Sequence, residues 1–178
     1  MMKILYSAEA IAARVADLAD TLNKSLAGNK MVHTVVTMNG SCMFAADLTR
    51  QLTIPQIMHF TGGSYFQGTM KQELAMNPET LPQNFHLSPV LVIEDILDSG
   101  NSIKHLRQML GQRGAGPITV VSLFKRVGST AAADYAAFSL PKELFAVGYG
   151  LDMDGRYREL PAIYTFETTL MSGESGRC

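Results

Sequence analysis

The sequence predicts an α/β fold with a central, mainly parallel sheet flanked by helices. Two observations carry this. Short apolar runs rich in β-branched residues, at Val32 to Met38, Val90 to Ile93 and Ile118 to Phe124, read as buried strands. Between them lie stretches whose apolar residues recur at helical spacing, and this alternation is what parallel strands joined by helical crossovers produce.

The elements follow in order. Ile11, Val15, Leu18 and Leu22 mark a first helix in an Ala-rich stretch, with Ser7 as its N-cap and Gly28-Asn29 at its end. Val32 to Met38 is a buried strand, Gly40 to Leu52 a helix and Pro55 to Thr61 a second strand. From Gly62 to Leu87 the chain is rich in glycine, proline and polar residues with weak periodicity, and reads as a long loop of the kind that serves as a lid or binding loop. Val90 to Ile93 suits a central strand. Ile103, Leu106 and Leu110 mark a helix closed by Gly114, and Ile118 to Phe124 forms the next buried strand. Two short β segments follow, at Ala136 to Leu140 and Leu144 to Tyr149.

The composition bounds what such a fold can do. The 178 residues suit one domain with a sizeable core, and 47% hydrophobic with 17% charged residues is a globular balance. A net charge of −1 predicts neither a nucleic-acid nor a membrane partner, so any anion must be bound by local groups. No run approaches the roughly 18 apolar residues of a membrane span. Met1 to Tyr6 is too short for a secretory signal. Cys42 and Cys178 make neither a metal nor a disulfide pattern, and Ser172 to Cys178 reads as a frayed tail. A reducing cytoplasm is the expected location.

The chemistry concentrates in Val90 to Ile103. A buried strand delivers Glu94 and Asp95 at its carboxyl end, where open parallel sheets bind ligands. Asp98-Ser99-Gly100-Asn101-Ser102 then turns into a helix. Gly100 lets backbone N–H groups approach an anion, Ser99 and Ser102 add hydroxyl donors, and the helix N-terminus favours negative charge. The arrangement suits a monophosphate at the loop and a polyol or metal at the two carboxylates.

This order, an apolar strand followed by Glu-Asp-x-x-Asp-Ser-Gly-x-Ser, resembles the phosphoribosyl-diphosphate motif of the type I phosphoribosyltransferases almost position by position. The likeness extends through nearly the whole chain and is greatest to the hypoxanthine-guanine members. Met38-Asn39-Gly40-Ser41-Cys42 and on to Leu48 resembles their first active-site loop and helix, Ser64-Tyr65 the pair on their mobile catalytic loop, and Ser122 to Arg126 the strand ending in their purine-contacting lysine. Val147 to Asp152 and Tyr157 to Pro161 resemble their base-binding hood and pyrophosphate-contacting arginine.

The resemblance implies a type I phosphoribosyltransferase fold in one domain, 1–178. Its core would span about 30–140, its hood about 1–10 and 141–170, and its mobile loop about 64–84. It implies purine salvage, in which hypoxanthine or guanine displaces pyrophosphate from 5-phosphoribosyl 1-diphosphate to give IMP or GMP. Glu94 and Asp95 would hold the ribose hydroxyls, directly or through Mg²⁺. Asp98 would accept the proton from purine N7. Ser99, Gly100, Asn101 and Ser102 would cradle the 5-phosphate, and Asn39, Gly40 and Arg158 would meet the pyrophosphate. Lys125, a donor only, would satisfy a 6-oxo group but not the 6-amino group of adenine. Phe145 would stack on the base and Ala146 would offer it backbone groups. Asp152 would hold a second Mg²⁺ through water or help fix the base. Ser64 and Tyr65 would close over the site once substrates bind. A non-proline cis peptide at Met38–Asn39 and a homodimer or homotetramer are also implied.

The chain departs from the pattern at three places. Asn39 and Asn101 stand where lysine is frequent, and Met153 where many members carry an aromatic. The two asparagines each remove a cation beside an anionic substrate. A xanthine-preferring enzyme of the same family and a non-catalytic phosphoribosyl-diphosphate-binding regulator are the competing readings. A Rossmann dinucleotide site is disfavoured because no Gly-x-Gly-x-x-Gly follows a strand.

Overall fold

The structure, a computed structural model, describes residues 2–62, 64–67, 70–73 and 78–166, without side chains for 63–78. In chain order the elements are β1 (Met2–Tyr6), α1 (Ala8–Ser25), β2 (Val32–Met38), α2 (Cys42–Thr49), β3 (Gln56–Gly62), β4 (Ser64–Gln67), β5 (Met70–Glu73), a 3-10 turn at Pro78–Thr80, β6 (Val90–Leu97), α3 (Asn101–Gln112), β7 (Ile118–Arg126), β8 (Tyr135–Leu140), β9 (Ala146–Val147) and β10 (Ile163–Phe166).

A five-stranded sheet in the order β3-β2-β6-β7-β8 carries the fold, and every neighbouring pair is parallel. β6 lies at its centre, as the unbroken run Val90 to Ile93 predicts for a strand covered on both faces. The residues of β6 divide between two cores. Leu91 and Ile93 pack with Ile11, Leu22, Phe44 and Leu48 on the side of α1 and α2. Val90 and Val92 pack with Phe85, Ile103, Leu106 and Leu110 on the side of α3. Each such fully buried side chain contributes roughly 1.5–3 kcal/mol.

The first helix begins as the sequence predicts, with the Ala10 N–H donating to Ser7 Oγ at 3.3 Å. The helix expected over Gly40 to Leu52 is shorter at both ends. Leu144 to Tyr149 contributes only Ala146–Val147 to a strand, because the following backbone turns through left-handed conformations at Gly148, Tyr149 and Gly150.

The structure corrects the loop expected over Gly62 to Leu87. Ser64–Gln67 and Met70–Glu73 pair antiparallel as a two-stranded hairpin, with Ser64 opposite Glu73. Four-residue strands are too short to show a period in sequence. The loop's return is also pinned. Leu81 and Phe85 are buried, Arg113 Nη1 donates to Leu81 O at 3.0 Å and Pro82 O at 3.2 Å, and the Phe85 N–H donates to Arg113 O at 2.8 Å.

A second sheet of three antiparallel strands, β1-β10-β9, joins the two ends of the described chain. It is the small hood of the predicted fold. Tyr6 anchors it to the main sheet, its ring 4.1 Å from that of Phe138 and 5.9 Å from that of Phe124. Neither β1 nor β10 has enough alternation to be read as a strand in advance; each forms because the other supplies its hydrogen-bond edge. Among the described residues no helix is long and apolar enough to cross a membrane.

Candidate functional site

The parallel strands β2, β6 and β7 end at one edge of the sheet, and the predicted site residues of the core gather there. β6 contributes Glu94 and Asp95. Glu94 is buried and is flanked by Thr37 from the end of β2 and by its register partner Ser122 of β7. Burial above all, and then the adjacent Asp95 carboxylate, push the Glu94 carboxyl well above the ordinary carboxylate range. Hydrogen bonds from Thr37 and from the Asp95 N–H, the latter at 3.2 Å, oppose that rise without cancelling it. Asp95 is half-buried, and its Oδ1 accepts from the Ile96 N–H at 2.6 Å.

Gly40 lies directly against this pair. A Cβ built on Gly40 would come within 1.7 Å of Asp95 Oδ2. Only hydrogen fits. The peptide before it, Met38–Asn39, is cis, as the resemblance implies. Gly150 in turn backs onto Gly40, since its Cβ would stand 2.2 Å from Gly40 O, and its φ of +97° suits glycine. Three distant segments therefore meet, the backbone at 150 against the backbone at 40, and Gly40 against the Asp95 carboxylate.

After β6 the chain turns through Asp98, Ser99 and Gly100, the last at φ +78°, into α3. Asp98 and Ser99 are exposed. Ser129 Oγ donates a short hydrogen bond to the Asp98 carbonyl. A cavity of about 400 Å³ opens beside the loop, lined by Ser99, Gly100, Asn101, Lys104 and Thr130 among others. Lys104, one turn into α3, is a cation that the motif did not single out.

Lys125 ends β7 half-buried. Its register partner is Leu97, so the strand ends set it beside the segment that carries Asp98. Arg126, the next residue, was not anticipated. Its Nε stands 3.6 Å from Asp98 Oδ2, and its Nη1 donates to the carbonyls of Pro141, Lys142 and Leu144 at 3.1, 2.9 and 3.2 Å. The available signal was a Lys-Arg pair closing an otherwise apolar strand.

The hood contributes Phe145, half-buried, and Ala146, buried on β9. Asp152 and Arg158 bind each other. Arg158 Nη2 is 2.8 Å from Asp152 Oδ1, the Gly155 N–H donates to Asp152 Oδ2 at 2.7 Å, and Arg158 Nη1 donates to Gly150 O at 2.7 Å. Arg158 is thus tied to the glycine that backs onto Gly40. Tyr149, at φ +50°, donates to Asp47 Oδ2 of α2 at 2.8 Å, and burial and that bond push its phenol up. Ser64 and Tyr65 lie on β4; their side chains fall outside the described ones.

Known proteins resemble this chain over most of its length. Residues 1–154 match the phosphoribosyl transferase domain family. Hypoxanthine phosphoribosyltransferase of Salmonella typhimurium is 32% identical over 168 residues, covering 91% of this chain and 93% of that protein. Hypoxanthine-guanine phosphoribosyltransferase of Streptococcus mutans is 33% identical over 165 residues, covering 90% and 91%. A crystal structure of a hypoxanthine phosphoribosyltransferase variant from Trypanosoma cruzi, complexed with the product IMP, superposes with a TM-score of 0.76 at 31% identity over 93% of this chain and 84% of that one. The chain belongs to the phosphoribosyltransferase family, among its hypoxanthine-guanine members.

Proposed function

We propose that the protein transfers the 5-phosphoribosyl group of 5-phosphoribosyl 1-diphosphate to N9 of hypoxanthine or guanine, giving IMP or GMP and pyrophosphate. The observation that carries this reading is the register of β6 and β7. It puts the donor-only Lys125 beside the turn that holds Asp98, at the edge where β6 presents Glu94 and Asp95. A 6-oxo group would accept from Lys125, and Asp98 would take the N7 proton as the N9–C1 bond forms and the C1–oxygen bond breaks. Phe145 would stack on the ring, and Ala146 would meet its edge through backbone groups.

The 5-phosphate would sit on Ser99, Gly100, Asn101 and Ser102 at the start of α3. Asn39, Gly40 and Arg158 would take the pyrophosphate, and Ser64 and Tyr65 would cover the site against water. The residues present fit a divalent ion of the Mg²⁺ type. Glu94 and Asp95 offer hard oxygen donors, and among the described residues no three metal-ligating side chains stand together, so such an ion would draw its shell largely from water and substrate oxygens. Bound there, or near Asp152, it would neutralise charge on the diphosphate.

The reading includes a homodimer or homotetramer, and Ile57, Met58 and Phe60 on the edge strand β3 are exposed apolar side chains available for burial. It places the enzyme in the cytoplasm, with which a free Cys42 thiol is compatible. The test is direct: supply Mg²⁺ and 5-phosphoribosyl 1-diphosphate with hypoxanthine, guanine, xanthine or adenine separately, and follow nucleotide formation. We expect turnover with hypoxanthine or guanine and none with adenine. Preference for xanthine would replace the acceptor, and no turnover with any base would favour a binding regulator.

A further inference from the structure

Among the described residues the Asp98 side chain forms an ion pair with Arg126, and that neighbour reaches in two directions. Arg126 is 15% exposed and Asp98 52% exposed. The guanidinium Nη1 is committed to three consecutive-segment carbonyls, Pro141, Lys142 and Leu144, immediately before Phe145 and Ala146. The Nε is buried, has no hydrogen-bond partner among the described residues, and stands 3.6 Å from Asp98 Oδ2. A planar fork can serve both sides at once, whereas an ammonium is a single point. Separately, Ser129 Oγ donates to the Asp98 carbonyl.

We propose that Arg126 is a positioning residue for proton transfer: it holds Asp98 by one oxygen and thereby fixes that carboxylate relative to the hood segment that receives the purine. The inference rests on the reading of Asp98 as proton acceptor. Its physical content is geometric. Oδ2 faces the guanidinium as an ion pair at 3.6 Å, beyond hydrogen-bond distance, which leaves Oδ1 to meet the purine N7 proton. The segment 141–144, between β8 and β9, and Asp98, after β6, belong to different parts of the chain, and the Arg126 side chain reaches both. A residue that merely tied down the loop would need only its Nη1 bonds.

The two roles separate in a double-mutant cycle. Steady-state and single-turnover rates are measured with Mg²⁺, 5-phosphoribosyl 1-diphosphate and hypoxanthine for the wild type, Arg126→Gln, Asp98→Asn and the double variant. Glutamine keeps a donor for the carbonyls and removes the charge. We expect Arg126→Gln to lower kcat roughly 10- to 100-fold, as misplacement of a reacting group does, with the diphosphate KM changed less than about threefold. Arg126→Lys should recover part of the loss. In the Asp98→Asn background the same Arg126→Gln change should cost less than about threefold, because residues acting through one another are not additive. An equal loss in both backgrounds, or a kcat for Arg126→Gln within about twofold of wild type, overturns the proposal and leaves Asp98 as acceptor. Undiminished turnover by Asp98→Asn overturns both. If Arg126→Gln fails to fold, Arg126→Lys takes its place in the cycle.

Discussion

The strand β2 buries polar groups at both ends, and the two ends handle them differently. Near its start, His33 Nδ1 meets His59 Nε2 of β3 at 2.9 Å, the rings stack, and the edge of Phe85 closes the pair. One neutral ring donates and the other accepts, so each satisfies the other. Burial holds both imidazoles below their usual range. At the other end, Thr37 hydrogen-bonds a carboxyl whose burial pushes it up, and the neighbouring Asp95 carboxylate lies against Gly40. The first arrangement is complete within the protein. The second sets a buried carboxyl beside a second acid at the ligand-binding end of the strand, an arrangement suited to a site rather than a core.

The sharpest way to break this contrast is Gly40→Ala. The methyl group cannot coexist with Asp95 where it stands, so kcat/KM for the diphosphate should fall about 100-fold or more, while His33 and His59 are untouched. Near-normal kinetics would mean that the ligand edge yields as easily as a surface loop. Next comes Glu94→Gln. The Glu94 carboxyl is raised in the folded state, so its contribution is fully present below the unfolded value of 4.5 and is lost as pH climbs through the raised folded value. The unliganded variant should therefore melt above wild type at neutral pH, with the gap closing toward pH 4.5, and should bind the diphosphate more weakly. A variant that melts lower at pH 7 would show that the buried acid is not strained there.

The histidine end predicts the opposite limb. Both imidazoles are depressed from 6.5, so stability is present above that value and lost as pH falls through the lower folded values. His33→Leu with His59→Leu should flatten the fall of Tm below pH 6.5 and leave turnover at pH 7.5 within about twofold, as expected of a change remote from the site. An unchanged acid limb would assign it to other groups. The smallest effect is expected from Asn101→Lys, which restores a cation at the phosphate loop: the diphosphate KM should drop about two- to fivefold, the range of a solvent-exposed ion pair. Lys104 lines the same cavity; on the proposed reading it would supply part of that charge, and Lys104→Ala should move KM the other way.

How much of this was legible beforehand follows from how local each feature is. The strand-helix alternation and the family motif from Glu94 to Ser102 are written in neighbouring residues, and the fold and family they point to are the ones found. Ser7 as a cap needed only three residues of context. The hairpin at Ser64–Gln67 and Met70–Glu73 was missed because two four-residue strands carry no usable period. β1 and β10 escaped because their pairing partners are some 160 residues apart in sequence, Met2 opposite Phe166. Arg126 was quoted only as the residue after a lysine. Its role depends on carbonyls 15 to 18 positions away and on a carboxylate across the sheet edge, and no pattern in the sequence encodes those carbonyls.

The meeting of Gly150, Gly40 and Asp95 has a consequence for redesign. On the proposed reading, the purine, pyrophosphate and ribose regions meet at this seam. Neither glycine there can take a side chain without moving a neighbour, the Gly40 carbonyl in the case of Gly150 and the Asp95 carboxylate in the case of Gly40. Attempts to retarget the enzyme to a different base must therefore work from the periphery, at Lys125, Phe145 and the strand ends. On that reading the seam would act as a gauge, holding base and sugar at one separation whatever the acceptor.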